Sequence, residues 1–291
     1  MPSLPLLLSQ VFNGLAYGSV LALIAAGLTV IYGTLGVINF AHGALFLVGA
    51  YVGSTVFAAT DSFVLAIAAG ALFTVVVGVV FERLIVRRFY NRPAEDQILV
   101  TFGAAIVIAE LIRAIYGGIA KSVPTPPWGQ GVVSIGSLIY PLYRVEALGV
   151  AVAALAILYF VLYHTRLGLV VRAGIEDSLM VNLLGINVQR AFLAVFGVGA
   201  MAAGFAGVVD SPILSLDPDM GMRILIDSFV VVVIGGIGSF PGAVLGGLIT
   251  GVILSVTSVF DPQFSQVVLF AVMALVLLLR PRGLMGVEGR A

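Results

Sequence analysis

Long apolar runs broken by short polar clusters fill this chain from end to end. A bilayer core takes roughly 20 apolar residues per helix. Runs of about that length cover 8–31, 40–58, 63–82, 98–116, 145–163, 191–210, 221–236, 241–258 and 264–280. The pattern predicts an all-α polytopic bundle of about 8–10 transmembrane helices, in one domain covering 1–291. The run 221–236 is the weakest, because it is short and carries Asp227, which either pairs with Arg223 at i−4 or serves the path or a gate. Between the fourth and fifth runs, 117–144 holds Pro124, Pro126, Pro127 and Trp128. Its apolar stretches cannot span, so it reads as an external lid or interface belt, with contact to a soluble protein as the alternative.

The cluster Ile38-Asn39-Phe40-Ala41-His42-Gly43 carries the most information, since no Lys or Arg precedes Arg83 and the cluster therefore lies within embedded chain. A polar break at membrane depth is tolerated where it lines a protein-enclosed cavity or a substrate route. Asn39 and His42 either line such a route or cap the backbone groups freed by a broken helix. A weaker echo, Asp217-Pro218-Asp219-Met220-Gly221, precedes another small-residue run. Asn39, Phe40, His42, Gly43, Asp217 and Asp219 are thus the candidate path residues. The echo is either an inverted repeat, with two half-helix N-termini aimed near the midplane, or coincidence.

Composition agrees with the pattern. Hydrophobic residues make up 61% and charged ones 10%, with mean hydropathy +1.19, where soluble domains carry roughly 25% charge. Net charge is zero and there is no cysteine. Nucleic acid is not an expected partner, and neither disulfides nor thiolate chemistry are available. His42 has no second His or carboxylate cluster beside it, so neither a metal nor any cofactor is expected. The N-terminal run lacks a basic flank and reads as a retained span.

Basic residues orient the spans. Arg83, Arg87, Arg88 and Arg92, then Arg166, Arg172 and Arg190, then Arg280, Arg282 and Arg290 account for 10 of 14. The positive-inside rule puts these three regions in the cytoplasm, leaving the N-terminus outside. The loop 166–190 then faces the cytoplasm. Glu176–Leu184 reads as a short amphipathic helix, with Leu179, Leu183 and Leu184 on one side and Gly185 as its stop. It either seats on a partner protein or lies on the membrane surface. Glu110 and Arg113 read as an i,i+3 pair. The Gly-rich block 235–247 lacks the ending of a phosphate loop and reads as a hinge or close-packing surface.

Several of these blocks together resemble the permease subunits of branched-chain amino acid ABC importers. They are Gly14-Leu15-Ala16-Tyr17-Gly18-Ser19, Gly27–Gly33, Gly36–Gly43, Glu176-Asp177, Leu184–Asn187, Gly235–Ser239 with Pro241–Ala243, and Arg280–Leu284. Many relatives in that family, urea-type permeases among them, carry Glu after the Gly43 position, where this chain has Ala44. The resemblance implies two ATP-binding subunits, a second homologous permease, a soluble substrate-binding protein and a cell (inner) membrane location. It also implies that Gly174, Glu176, Asp177, Leu184, Gly185 and Asn187 dock an ATPase, and that this chain is not itself an enzyme. A urea or amide permease and a stand-alone carrier or channel are the alternatives.

Overall fold

The computed structural model describes residues 4–135 and 138–286. Eleven α-helices carry the described chain: α1 (Leu4–Leu35), α2 (His42–Thr60), α3 (Phe63–Leu84), α4 (Ala94–Tyr116), α5 (Leu142–His164), α6 (Arg166–Glu176), α7 (Ser178–Leu183), α8 (Val188–Asp210), α9 (Met220–Gly235), α10 (Phe240–Phe260) and α11 (Ser265–Leu279). Eight segments are long and apolar enough to cross a membrane, α11 together with the turn before it. The ninth expected run is α9, which at 16 residues rises only roughly 24 Å. In the expected external segment a short hairpin forms from β1 (Val132–Ile135) and β2 (Leu138–Pro141). Trp128 packs there on Phe63 and Tyr143, with ring centroids 5.9 and 6.0 Å away.

Successive helix ends collect on two opposite faces. At one, Gly238 approaches Gly33, Arg172 bonds to the Leu162 carbonyl, and the Leu284 amide donates to Ile234 O. Arg83, Arg87, Arg88, Arg92, Arg166, Arg190 and Arg280 sit at this basic face, while Arg290 lies outside the described residues. At the other face Ser255 bonds Gln10, Arg144 bonds Asn13, and a bridge joins Lys121 to Leu216. Cysteines placed at Arg92 and Asn187 are expected to react with impermeant maleimide only from the cytoplasm, and those at Gln130 and Asp261 only from outside. The parent has no cysteine, so labelling of Asn187 from outside would overturn the orientation.

The packing follows an inverted repeat in which α1–α4 correspond to α8–α11. α1 packs on α10 as α8 packs on α3, α2 on α8 as α9 on α1, α2 on α3 as α9 on α10, and α2 on α4 as α9 on α11. The central pairs α1–α8 and α2–α9 meet each other. Local geometry repeats as well. Ser62 and Ser239 accept hydrogen bonds from the amides three residues on and cap α3 and α10. The residue before each cap, Asp61 or Gly238, has positive φ, 54° and 82°. The Gly-rich block is a packing surface: a Cβ on Gly235 would lie 2.1 Å from Gly242 O, and one on Gly247 would lie 2.6 Å from Ala22 Cα. Close backbone approach of this kind is how membrane helices associate where lipid removes the hydrophobic drive.

Candidate functional site

The first break runs from Gly36, at φ +64°, to the start of α2. Lipid supplies no hydrogen bonds, so each freed amide there needs a protein partner. The Ile38 amide donates to Gln97 Oε1 (3.3 Å), the Phe40 amide to Thr101 Oγ1 (3.1 Å) and the Ala41 amide to Asn39 Oδ1 (3.0 Å). Gln97 is itself held, its Nε2 donating to Phe89 O and Arg92 O. Gln97 and Thr101 hold the backbone of the break, a role that sequence reasoning missed. Their i,i+4 spacing puts both on one face of α4, but nothing along that helix shows what the face meets. Nearby, Arg87 and Tyr90 bond the buried Glu82 carboxylate. Burial first, and the bond to Glu82 second, push the Tyr90 phenol well above its ordinary pKa.

Asn39 and His42 are 1% and 0% exposed. His42 Nε2 lies 3.1 Å from the Ile24 carbonyl, which ties the first turn of α2 to α1. Asn39 Nδ2 and His42 Nδ1 have no hydrogen-bond partner among the described residues. Asn39 therefore caps the break with one end of its amide and leaves the other end uncommitted.

The second break repeats the first. Asp217 Oδ1 accepts from the Asp219 amide (3.0 Å) as Asn39 Oδ1 accepts from Ala41. The Met220 amide donates to Asp217 O (3.1 Å) as the His42 amide donates to Asn39 O (3.2 Å). The helices that follow run antiparallel and touch. A Cβ on Gly43 would sit 2.1 Å from Gly221 O and 2.7 Å from Leu225 Cβ.

Between α2, α4 and α9 lies a cavity of about 190 Å³, lined by Phe40, Ala44, Leu47, Glu110, Asp219 and Leu225 among others. A second space of about 80 Å³, toward the basic face, is lined by Leu28, Tyr32, Asn39, Phe40, Phe229 and Ile237. Phe40 forms a wall of both, with its ring 5.9 Å from Phe229 and 6.5 Å from Phe102.

Charge at the site differs from the sequence expectation. Arg223 pairs with Asp217, not Asp227. Asp227 accepts from Tyr17 (3.2 Å) and Gln266 (3.3 Å), partners on α1 and α11. Glu110 and Arg113 do pair, at 2.8 Å, and Arg113 also reaches Asp219 at 2.7 Å.

The second constellation lies at the basic face. Asp177 caps α7 by accepting from the Met180 amide (2.9 Å), and Asn187 caps α8 by accepting from Arg190 (3.0 Å). Gly185 turns the chain at φ +79°. Gly174 lies where a Cβ would meet Val188 Cγ1 at 2.8 Å. Glu176 and Arg172 border a groove of about 720 Å³ that reaches Gly33 and Gly238. Leu179, Leu183 and Leu184 point away from the chain and are 70%, 74% and 72% exposed. The leucines project from a short helix that begins at the Asp177 cap and ends before the Gly185 turn.

Residues 10–277 match the family model described as branched-chain amino acid transport system / permease component. The chain is 34% identical to the high-affinity branched-chain amino acid transport system permease protein LivH of Escherichia coli K12, over 96% of this chain and 95% of the relative. It is 34% identical to the corresponding permease protein BraD of Pseudomonas aeruginosa, over 98% of each. A probable branched-chain amino acid transport permease protein of Methanocaldococcus jannaschii is 27% identical over 95% and 91%. No solved structure matches.

Proposed function

Since the chain belongs to the family of branched-chain amino acid transport permease components, we propose that it forms half of the transmembrane path of an ATP-driven importer in the inner membrane. Its cargo is a branched-chain or other hydrophobic amino acid. Two ATP-binding subunits, a second homologous permease and a soluble binding protein complete the assembly. ATP hydrolysis belongs to the partners. This chain converts their movement into alternate opening of its two faces.

One observation carries this reading: the uncovered leucine patch at α7 and its C-cap on the basic face. Gly174, Glu176, Asp177, Leu184, Gly185 and Asn187 shape this surface for an ATPase, and the adjoining groove connects it to α1 and the start of α10. Uptake of labelled leucine and labelled urea by the reconstituted complex, with and without ATP, tests the reading. ATP-dependent leucine uptake is expected. Urea uptake in its place would replace the substrate, and uptake without ATP would replace the class.

Asn39, Phe40, His42, Gly43, Asp217 and Asp219 are assigned to the path. Two features support this: the paired breaks meet, and Phe40 partitions the outer cavity from the inner space. The unpartnered Asn39 Nδ2 and His42 Nδ1 carry a cost of about 1–3 kcal/mol each in a closed site, which opening the break to water or substrate relieves. Asn39→Leu, His42→Leu and Asp219→Leu are each expected to lower uptake per assembled complex at least roughly tenfold. Near-normal transport by all three would remove both breaks from the path.

A further inference from the structure

The outer mouth of the α2–α4–α9 cavity is charged. Glu110, Arg113, Asp217, Asp219 and Arg223 gather there, joined by the pairs Glu110–Arg113, Arg113–Asp219 and Asp217–Arg223. The cluster is recessed. The Tyr51 and Tyr116 rings lie 4.8 Å apart, which sets the outer end of α4 beside Tyr51. α2 climbs nine residues further, to Thr60, a rise of roughly 13 Å. Ionised groups at that depth are costly against lipid and stable against water or a charged ligand, so this side of α4 and α9 faces an aqueous vestibule.

Below the charges the cavity turns apolar, walled by Ala44, Leu47, Ile106, Met222 and Leu225. We infer that this mouth binds a zwitterionic amino acid directly, Arg113 taking the carboxylate, Glu110 and Asp219 the ammonium group, and the apolar cavity the side chain. The inference rests on the amino acid reading above and adds that the permease itself selects its cargo. A zwitterion exchanges existing ion pairs for new ones and buries no net charge. A neutral solute offers the cluster nothing to exchange. Arg113 is the pivot because it already holds carboxylates from two helices.

The alternative is that Arg113 only ties α4 to α9. Equilibrium binding to the purified permease–ATPase complex, with the binding protein left out, separates the two. The probes are labelled leucine, 3-methylbutylamine, which lacks the carboxylate, and 4-methylpentanoate, which lacks the amine. Arg113→Gln is expected to weaken leucine and 4-methylpentanoate roughly tenfold or more, the scale of one lost hydrogen bond to a charged group, and to leave 3-methylbutylamine unchanged. Glu110→Gln is expected to weaken leucine and the amine instead. The exchange Arg113→Asp with Asp219→Arg restores the interhelix pair but not leucine binding. The inference is overturned if Arg113→Gln weakens all three probes equally, if the exchange restores leucine binding, or if the wild-type complex binds no leucine while importing it with the binding protein. If the wild-type complex imports no leucine at all, the amino acid reading fails and takes the inference with it.

Discussion

Gly43→Val is expected to remove the folded protein from the membrane fraction, or to lower its melting temperature in detergent by at least roughly 10 °C. The first atom of any side chain at Gly43 falls 2.1 Å from Gly221 O and 2.7 Å from Leu225 Cβ. Neither atom is the free end of a flexible chain. Both belong to the first turns of α9, which the Asp217 turn and the Arg113–Asp219 pair hold in place. Overpacking a yielding core costs about 1–3 kcal/mol. Here the backbone of α9 has to move, and the two breaks lose their contact. Gly103→Ala is the control, because nothing lies within 4 Å of a Cβ there. Fluorescence-detected gel filtration and thermal melting read both variants. Wild-type elution and melting for Gly43→Val would show that the α2–α9 contact does not hold the core together.

The leucine patch should fail selectively. Leu183→Asp with Leu184→Asp is expected to leave insertion and melting unchanged, because these side chains are mostly exposed. Copurification of the ATPase should be lost. Burying a leucine side chain is worth about 1.5–3 kcal/mol, so two uncovered leucines account for roughly a hundredfold or more in partner affinity. Gly185→Pro should act by another route, since proline fixes φ near −65° and Gly185 sits at +79°. That change reorients the segment between α7 and Asn187 without removing an apolar side chain. It should reduce substrate-stimulated ATP hydrolysis even where some ATPase still copurifies. Wild-type copurification and hydrolysis in both variants would assign the patch to the membrane surface.

Asp227 shows where one-dimensional reading stops. Its nearest opposite charge along the helix is Arg223, yet its partners are Tyr17 and Gln266, 210 and 39 residues away. Arg223 instead bonds Asp217, back across the break, because the start of α9 bends the chain toward it. Glu110–Arg113 was legible because i,i+3 neighbours meet on any helix. Its extension to Asp219 was not, since Arg113 and Asp219 lie 106 positions apart and meet only in the folded bundle. Gln97 and Thr101 escaped notice for the same reason: on a single helix they are two ordinary polar residues, and their purpose lies in amides 59 and 61 positions earlier.

The sequence by itself determined the class, the spans, the two faces and the places where helices break. Lipid forces each crossing segment to satisfy its own backbone and to declare itself by composition, and the basic residues collect at one of the two faces. It also determined the echo of the two breaks, because the same turn needs an Asn or Asp two residues before the amide it caps. Only the tertiary structure decided that those breaks meet at Gly43 and Gly221, that Phe40 and Leu225 wall both spaces beside them, and which charges pair at the outer mouth. Those contacts join helices far apart in sequence at distances set by single missing side chains, and no periodicity along one helix carries that information.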